Sequence, residues 1–145
     1  MERALPVPEP ALFECNKRIR FHHCDPAGIV FYPQYFVLFN EVVEDWFNEG
    51  LDVDFALFHT EHRLGVPMAH IECDFLAPSK IGDMLRLRLS VARIGRTSIT
   101  LVIEGRVADE SRIRATLVLV LASLDTRRAV ALPRDFREKL ERFAV

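Results

Sequence analysis

The 145-residue chain predicts an α+β fold in which one long helix is wrapped by a strongly twisted antiparallel sheet of about five strands. Two observations carry this. From Pro33 onward, Phe36, Phe39, Val43 and Trp46/Phe47 recur at intervals of three and four, the spacing of one apolar helix face. Beyond Leu85, apolar and polar residues alternate in stretches joined by short turns, the period of strands with one dry side.

Residues 1–12 read as a proline-rich arm, and residues 13–145 as a single domain. Over Glu14–Phe21, Cys15, Lys17, Ile19 and Phe21 alternate with Glu14, Asn16, Arg18 and Arg20, which predicts a first strand ending at Phe21. Asp25-Pro26-Ala27-Gly28 is a turn signal, because proline fixes φ, aspartate bonds nearby amides and glycine permits positive φ. The amphipathic helix follows, with Pro33 at its first position and Gly50 as the left-handed residue just past its end. Phe55–Leu64 adds one or two helical turns, Gly65–Phe75 is extended, and Leu85–Ala92 alternates almost without fault. Ile99, Leu101, Ile103 and Val107 mark the next strand, and Ile113–Leu124, apolar on both faces, a central one. Pro133 opens a short terminal helix carrying Phe136, Leu140 and Phe143.

Composition narrows the function classes. With 50% hydrophobic and 28% charged residues the chain reads as soluble and globular, and its longest strongly apolar run, Ala115–Leu124, has ten residues where a membrane helix needs about 20. The N-terminus shows no apolar core of signal-peptide length. Three cysteines, an odd number at no repeating spacing, disfavour a disulfide scaffold and point to the reducing cytoplasm. A net charge of −2 argues against nucleic acid as a partner.

The chemistry-bearing residues crowd into one stretch, His22–Tyr35, where an acid and a thiol lie in a loop that runs into a helix start. The first-turn amides of a helix are unpaired donors at the positive end of its dipole and can polarise a carbonyl. A nearby carboxylate can attack that carbonyl or activate water. On the residues alone, Asp25 is either that carboxylate or the initiator of a turn. Cys24 beside His23 lacks any cysteine-protease pattern, and His22, His23, Cys24 and Asp25 with His59, His62 or His70 lack zinc-site spacing, so no metal is expected. The helix acids Glu41, Glu44 and Asp45 are the alternative catalytic carboxylates, set behind Asp25 because Glu41 lies off the apolar stripe, where a solvated or interface role fits better.

The run His23-Cys24-Asp25-Pro26-Ala27-Gly28-Ile29-Val30-Phe31-Tyr32-Pro33-Gln34-Tyr35-Phe36 resembles the signature of the hotdog-fold acyl-CoA thioesterases of the 4-hydroxybenzoyl-CoA thioesterase family. The likeness extends more loosely through Gly65-Val66-Pro67, Phe75–Pro78, Gly82-Asp83 and Arg93–Ser98. It implies hydrolysis of an acyl-CoA with no metal or organic cofactor, CoA being part of the substrate. It implies Asp25 as the catalytic carboxylate and the Tyr32 backbone amide as the donor to the thioester carbonyl. It also implies substrate contacts from His23, Gly28, Phe31, Tyr35, Pro67 and Met68, with Arg96, Thr97 and Ser98 against the nucleotide or pantetheine of CoA. Some members carry an acid where this chain has His23, which alters the charge expected beside Asp25. The resemblance further implies a homo-oligomer, a dimer pairing sheets edge to edge or a tetramer, with active sites between subunits. Trp46, Phe47, Phe55 and Phe58 are expected to add aromatic surface, and Phe31, Tyr35, Trp46 and Met68 to line an aromatic or an aliphatic acyl pocket. An acyl-carrier-protein thioester and non-catalytic acyl-CoA binding are the competing functions.

Overall fold

A computed structural model gives the architecture and describes residues 11–145. Of the expected arm only Ala11 and Leu12 fall within it, and the Ala11 amide donates to Arg142 O at 2.8 Å. In chain order the elements are β1 (Phe13–Arg18), α1 (Pro33–Asp45), α2 (Phe55–Thr60), β2 (Leu64–Gly65), β3 (Met68–Phe75), β4 (Met84–Ile94), β5 (Ser98–Val107), β6 (Glu110–Val120), β7 (Ala122–Ser123) and α3 (Arg134–Glu141). Five strands make one antiparallel sheet in the order β1-β4-β5-β6-β3, while β2 and β7 form a separate pair. The expected α+β architecture and strand number hold.

One core joins helix and sheet. The sheet contributes Leu85, Leu87, Leu89, Val91, Ile99, Leu101, Ile103, Ile113, Ala115, Leu117 and Leu119, every second residue along β4, β5 and β6, all buried. Helix α1 lays Tyr35, Leu38, Phe39, Val42 and Val43 against them. Strand β6 is interior, as expected, but only one of its faces is dry: Val118 and Val120 on the other side are half-buried.

Three expectations fail, each for a stated reason. Strand β1 ends at Arg18 rather than Phe21, because the chain turns through a 3-10 segment, Phe21–His23, pinned by Arg20 N donating to His23 Nδ1 at 2.8 Å. Phe21 is therefore thrown outward, 84% exposed. Gly50 is not a left-handed cap. It belongs to a π-helical turn, Trp46–Gly50, that extends α1, and glycine is needed there because a Cβ would sit 2.7 Å from Trp46 Cδ1 and 3.3 Å from Phe143. Trp46, Phe47 and Phe58 are buried and Phe55 is half-buried; Phe47 meets Trp46, Phe55 and Phe58 edge-on, Trp46 meets Phe143 edge-on, and Phe136 leans on Phe47 at a tilt, so they supply core and not surface. That burial also removes Trp46 from the acyl-pocket candidates. Exposed aromatic surface comes instead from Phe21, Phe31, Tyr32 and Phe75. No helix among the described residues is long and apolar enough to cross a membrane.

Candidate active site

The loop between β1 and α1 is held from within and from outside. Inside it, Gly28 N donates to Asp25 O at 2.9 Å, Asp25 N to Ile29 O at 3.0 Å, and the Asp25 side chain accepts from Ala27 N at 2.9 Å, an Asx turn. Gly28 has φ +80°, a left-handed angle that the turn requires and that only glycine adopts without strain. From outside, Val30 N donates to Ser79 O at 2.9 Å and Ile81 N to Gly28 O at 3.3 Å, so the loop is stitched to the segment 79–82 that precedes β4. Asp25 is half-buried and lines a cavity of about 420 Å³ with Phe21, Cys24, Pro26, Gly28 and Ile81.

The loop ends at the start of α1. Pro33 has no amide hydrogen, while Gln34 N and Tyr35 N donate back to Phe31 O at 2.8 Å and Tyr32 O at 3.1 Å. Phe31 N donates to His23 O at 2.9 Å. Tyr32 N–H thus stands at the helix N-terminus with no acceptor among the described residues, at a site 58% exposed. Beside it opens an apolar cavity of about 290 Å³ lined by Ile29, Val30, Tyr32, Tyr35 and the segment Phe75–Ser79. The Tyr32 and Tyr35 rings lie 6.3 Å and 5.9 Å from that of Phe75. The structure therefore gathers Asp25, Gly28, Phe31, Tyr32 and Tyr35 around one loop and one helix start.

It places the other sequence candidates elsewhere. His23 is buried, but its ring turns back to Arg20 and into a polar cavity with Asn16, Lys17, Arg18, Arg20, His22 and Glu41, whereas Asp25 faces a different cavity. Burial first, and the adjoining His22 second, push its pKa down and favour the neutral ring. Burial and then the Asp25 charge push the Cys24 thiol up, the opposite of an activated nucleophile. Among the described residues no group of three or more His, Cys, Asp and Glu is placed to hold a metal ion. Pro67, Met68, Arg96, Thr97 and Ser98 meet at the opposite end of the sheet: Val120 N donates to Pro67 O at 3.1 Å, Leu121 N to Thr97 O at 2.8 Å, and Leu119 and Val120 pair with Met68 and Ser98. Eleven residues of β4 separate the two ends, roughly 33 Å at 3.3 Å per residue.

Sequence reasoning missed Ser79 and Arg112. Ser79 is fully buried at the floor of the apolar cavity. Arg112 reaches it from β6, donating from one guanidinium nitrogen to Pro78 O at 2.8 Å, Asp83 Oδ2 at 3.0 Å and Ser79 Oγ at 3.4 Å. Its Nε lies 2.6 Å from Glu110 Oε1, close enough for an ion pair but off the direction of a hydrogen bond. No local pattern marks these partners, which lie 29 to 34 positions apart in the chain.

The sheet wrapped about α1 is the hotdog fold. The solved 1,4-dihydroxy-2-naphthoyl-CoA thioesterase from Synechocystis superposes with a TM-score of 0.80 at 21% identity, over 90% of this chain and 96% of that one. The gentisyl-coenzyme A thioesterase BH1999 gives 0.82 at 23% identity, over 88% and 99%. In sequence, the chain is 27% identical over 129 residues to the 1,4-dihydroxy-2-naphthoyl-CoA hydrolase of Nostoc punctiforme, covering 89% of this chain and 86% of that protein. The family model for the thioesterase-like superfamily matches residues 19–140, and the chain belongs to that superfamily.

Proposed function

We propose that the protein hydrolyses an acyl-CoA thioester to a free acid and CoA, and that its acyl group is aromatic. The observation that carries this reading is the unpaired Tyr32 amide, seven positions after Asp25 on a loop fixed from both sides. A backbone N–H at a helix N-terminus stabilises the negative charge that develops on the thioester oxygen as the carbonyl is attacked. Asp25 supplies the attack in one of two ways. As nucleophile, its carboxylate adds to the carbonyl carbon, the C–S bond breaks, CoA leaves as thiolate and takes up a proton, and water hydrolyses the mixed anhydride. As base, it takes a proton from a water whose oxygen adds to the carbonyl, and the C–S bond breaks in the same way. Neither route calls for a metal or an organic cofactor. The aromatic preference rests on the cavity walls of Tyr32, Tyr35 and Phe75 and on relatives and neighbours named for hydroxylated aryl-CoA substrates.

A second copy of the chain completes the site in this reading. Among the described residues, β3 is an outer strand with β6 on one side only. Two copies joined antiparallel along β3 bring the Met68 end of one beside the Phe75 end of the other. Arg96, Thr97, Ser98, Pro67 and Met68 of one copy then stand near Asp25 and Tyr32 of its partner, in place to hold the CoA portion. Phe31, Tyr32, Val37, Phe75 and Leu76, all exposed in the single chain, supply apolar surface for such a contact. In this reading such dimers pair in turn into the tetramer that the family resemblance implies, and the three free cysteines suit a cytoplasmic setting.

The test is thiol release from a panel of aromatic and straight-chain acyl-CoAs, with an acyl-carrier-protein thioester alongside, by the wild type and Asp25→Asn. Turnover of aromatic acyl-CoAs that drops at least a hundredfold in the variant while product binding persists supports the reading. Absence of turnover on every CoA ester overturns it.

A further inference from the structure

The limb that carries Asp25 and the limb that carries the Tyr32 amide share one root, His23. Its carbonyl accepts from Phe31 N at 2.9 Å, one residue before Tyr32, and Asp25 follows two residues after it. Above this bond Cys24 pairs with Val30 and Asp25 N donates to Ile29 O at 3.0 Å, so the two limbs rise as a short hairpin from the His23–Phe31 rung. The His23 side chain holds the rung from below: Nδ1 accepts from Arg20 N at 2.8 Å, and His23 N donates back to Arg20 O at 3.0 Å. An N–H directed at Nδ1 needs a lone pair there, which assigns the neutral ring with its proton on Nε2. A protonated ring carries an N–H on both nitrogens and would set donor against donor. The surroundings oppose that second proton. The buried His23 ring lies 4.1 Å from that of His22, centroid to centroid, and lines a polar cavity with Lys17 and Arg18 of β1, Arg20 and His22 of the turn, and Glu41 of α1. Lys17 is paired with Asp45 at 2.9 Å, Arg18 donates to Gly82 O at 3.0 Å, and Asp25 faces another cavity. Burial first, then His22, hold the His23 pKa below the ordinary histidine value, with Arg20 adding to them against the upward pull of Glu41.

Resting on the thioesterase reading, we propose that His23 is the positioning residue of this site: its neutral ring, as a hydrogen-bond acceptor, fixes the rung from which the Asp25 carboxylate and the Tyr32 amide both extend, and protonation of the ring releases them. His23 acts through distance alone, because a displacement of about 1 Å in the reacting groups costs on the order of a hundredfold in rate. The sign follows from the acceptor. The rung is held while the ring is neutral, so kcat holds at neutral pH and falls as pH drops below the ordinary histidine value of 6.5 toward the depressed one. The apolar cavity beside Tyr32 does not include the ring, so KM moves little.

Two substitutions separate the acceptor from the ring. His23→Asn keeps an acceptor that cannot titrate, since its Oδ1 branches from Cγ as Nδ1 does, whereas His23→Phe keeps a ring and removes the acceptor. The measurements are kcat and KM for thiol release from 4-hydroxybenzoyl-CoA between pH 4.5 and 9, and hydrogen-exchange protection of the Phe31 amide, corrected for intrinsic exchange, over the same range. In the wild type, kcat is expected to fall at least tenfold from pH 7.5 to pH 5 with KM changing less than threefold, and Phe31 protection to fall alongside. His23→Phe is expected to lose at least tenfold in kcat at pH 7.5. His23→Asn is expected to recover most of that loss and, at pH 5, to exceed the wild type at least fivefold. A His23→Asn profile that falls in acid as the wild type does, or a His23→Phe rate equal to the wild type at pH 7.5, overturns the proposal; should His23→Phe not fold, the His23→Asn profile decides alone. Because protection needs no hydrolysis, a wild type that turns over no thioester yet loses Phe31 protection in acid, with His23→Asn resistant, would refute the thioesterase reading and uphold the role of His23 in holding the rung. Wild-type protection that is indifferent to pH overturns that role.

Discussion

The free amide at Tyr32 can be deleted almost alone. Tyr32 sits at φ −53°, ψ −34°, within the range a proline ring imposes, and its N–H has no acceptor among the described residues. Tyr32→Pro therefore removes one donor at the helix start without breaking a hydrogen bond. It also removes a ring lying 5.4 Å from Phe31 and 6.3 Å from Phe75, so the proper reference is Tyr32→Ala, which loses the ring and keeps the amide. Removing one donor to a developing oxyanion costs about 10²–10³ in kcat, ~2.7–4 kcal/mol. Against Tyr32→Ala, Tyr32→Pro should lose that factor in single-turnover hydrolysis of an aromatic acyl-CoA while product affinity stays close. Thermal melts of both variants establish that each is folded. A Tyr32→Pro rate within tenfold of Tyr32→Ala, with both folded, refutes the role given to this amide.

Subunit mixing tests the split site. Asp25→Asn and Arg96→Ala copies, each impaired alone, should recover about a quarter of wild-type sites when mixed and re-paired at random, since half the dimers are mixed and one site in each is intact; no recovery places both residues in one chain's site. Alkaline stability tests the half-buried thiols Cys15 and Cys73. Burial raises Cys15 and Cys73 from an ordinary 9.0 to about 11, so the unfolded chain loses these protons first, and the stability present below pH 9 is lost as pH climbs toward 11. Urea midpoints at pH 8, 9.5 and 11 should fall less steeply in a Cys15→Ala/Cys73→Ala variant; parallel curves would contradict the assignment.

What the sequence disclosed was local. The Asp25–Gly28 turn, Pro33 at the helix start and the α1 stripe depend on residues within a few positions of each other, and each formed as read, the stripe shifted to include Tyr35, Leu38 and Val42. The β1 end was misread because Phe21 continues the alternation, while the bond that stops the strand comes from a histidine ring whose partner no pattern reveals. Gly50 was misread because its need for glycine arises from Phe13, Trp46 and Phe143 arriving around it, a matter of packing and not of turn chemistry. Asp25 and Arg96 look like parts of one site in a linear motif, yet only strand direction and register show that a single chain holds them apart. Ser79 and Arg112 were beyond reach for the same reason, since a hydrogen bond across 33 positions leaves no periodicity.

The stitching of the Asp25 loop to residues 79–82 ties two properties that an enzyme is free to keep apart. Ser79 bears the cavity floor on its side chain and holds Val30 with its main chain, so reshaping the floor drags on the carboxylate. Phe75 and Leu76, 53% and 54% exposed, have no bond to that loop. New acyl preferences should therefore arise by change at the cavity mouth, with the floor inherited intact, and a library randomised at Phe75 and Leu76 should yield altered substrate ranges far more often than one randomised at Ser79.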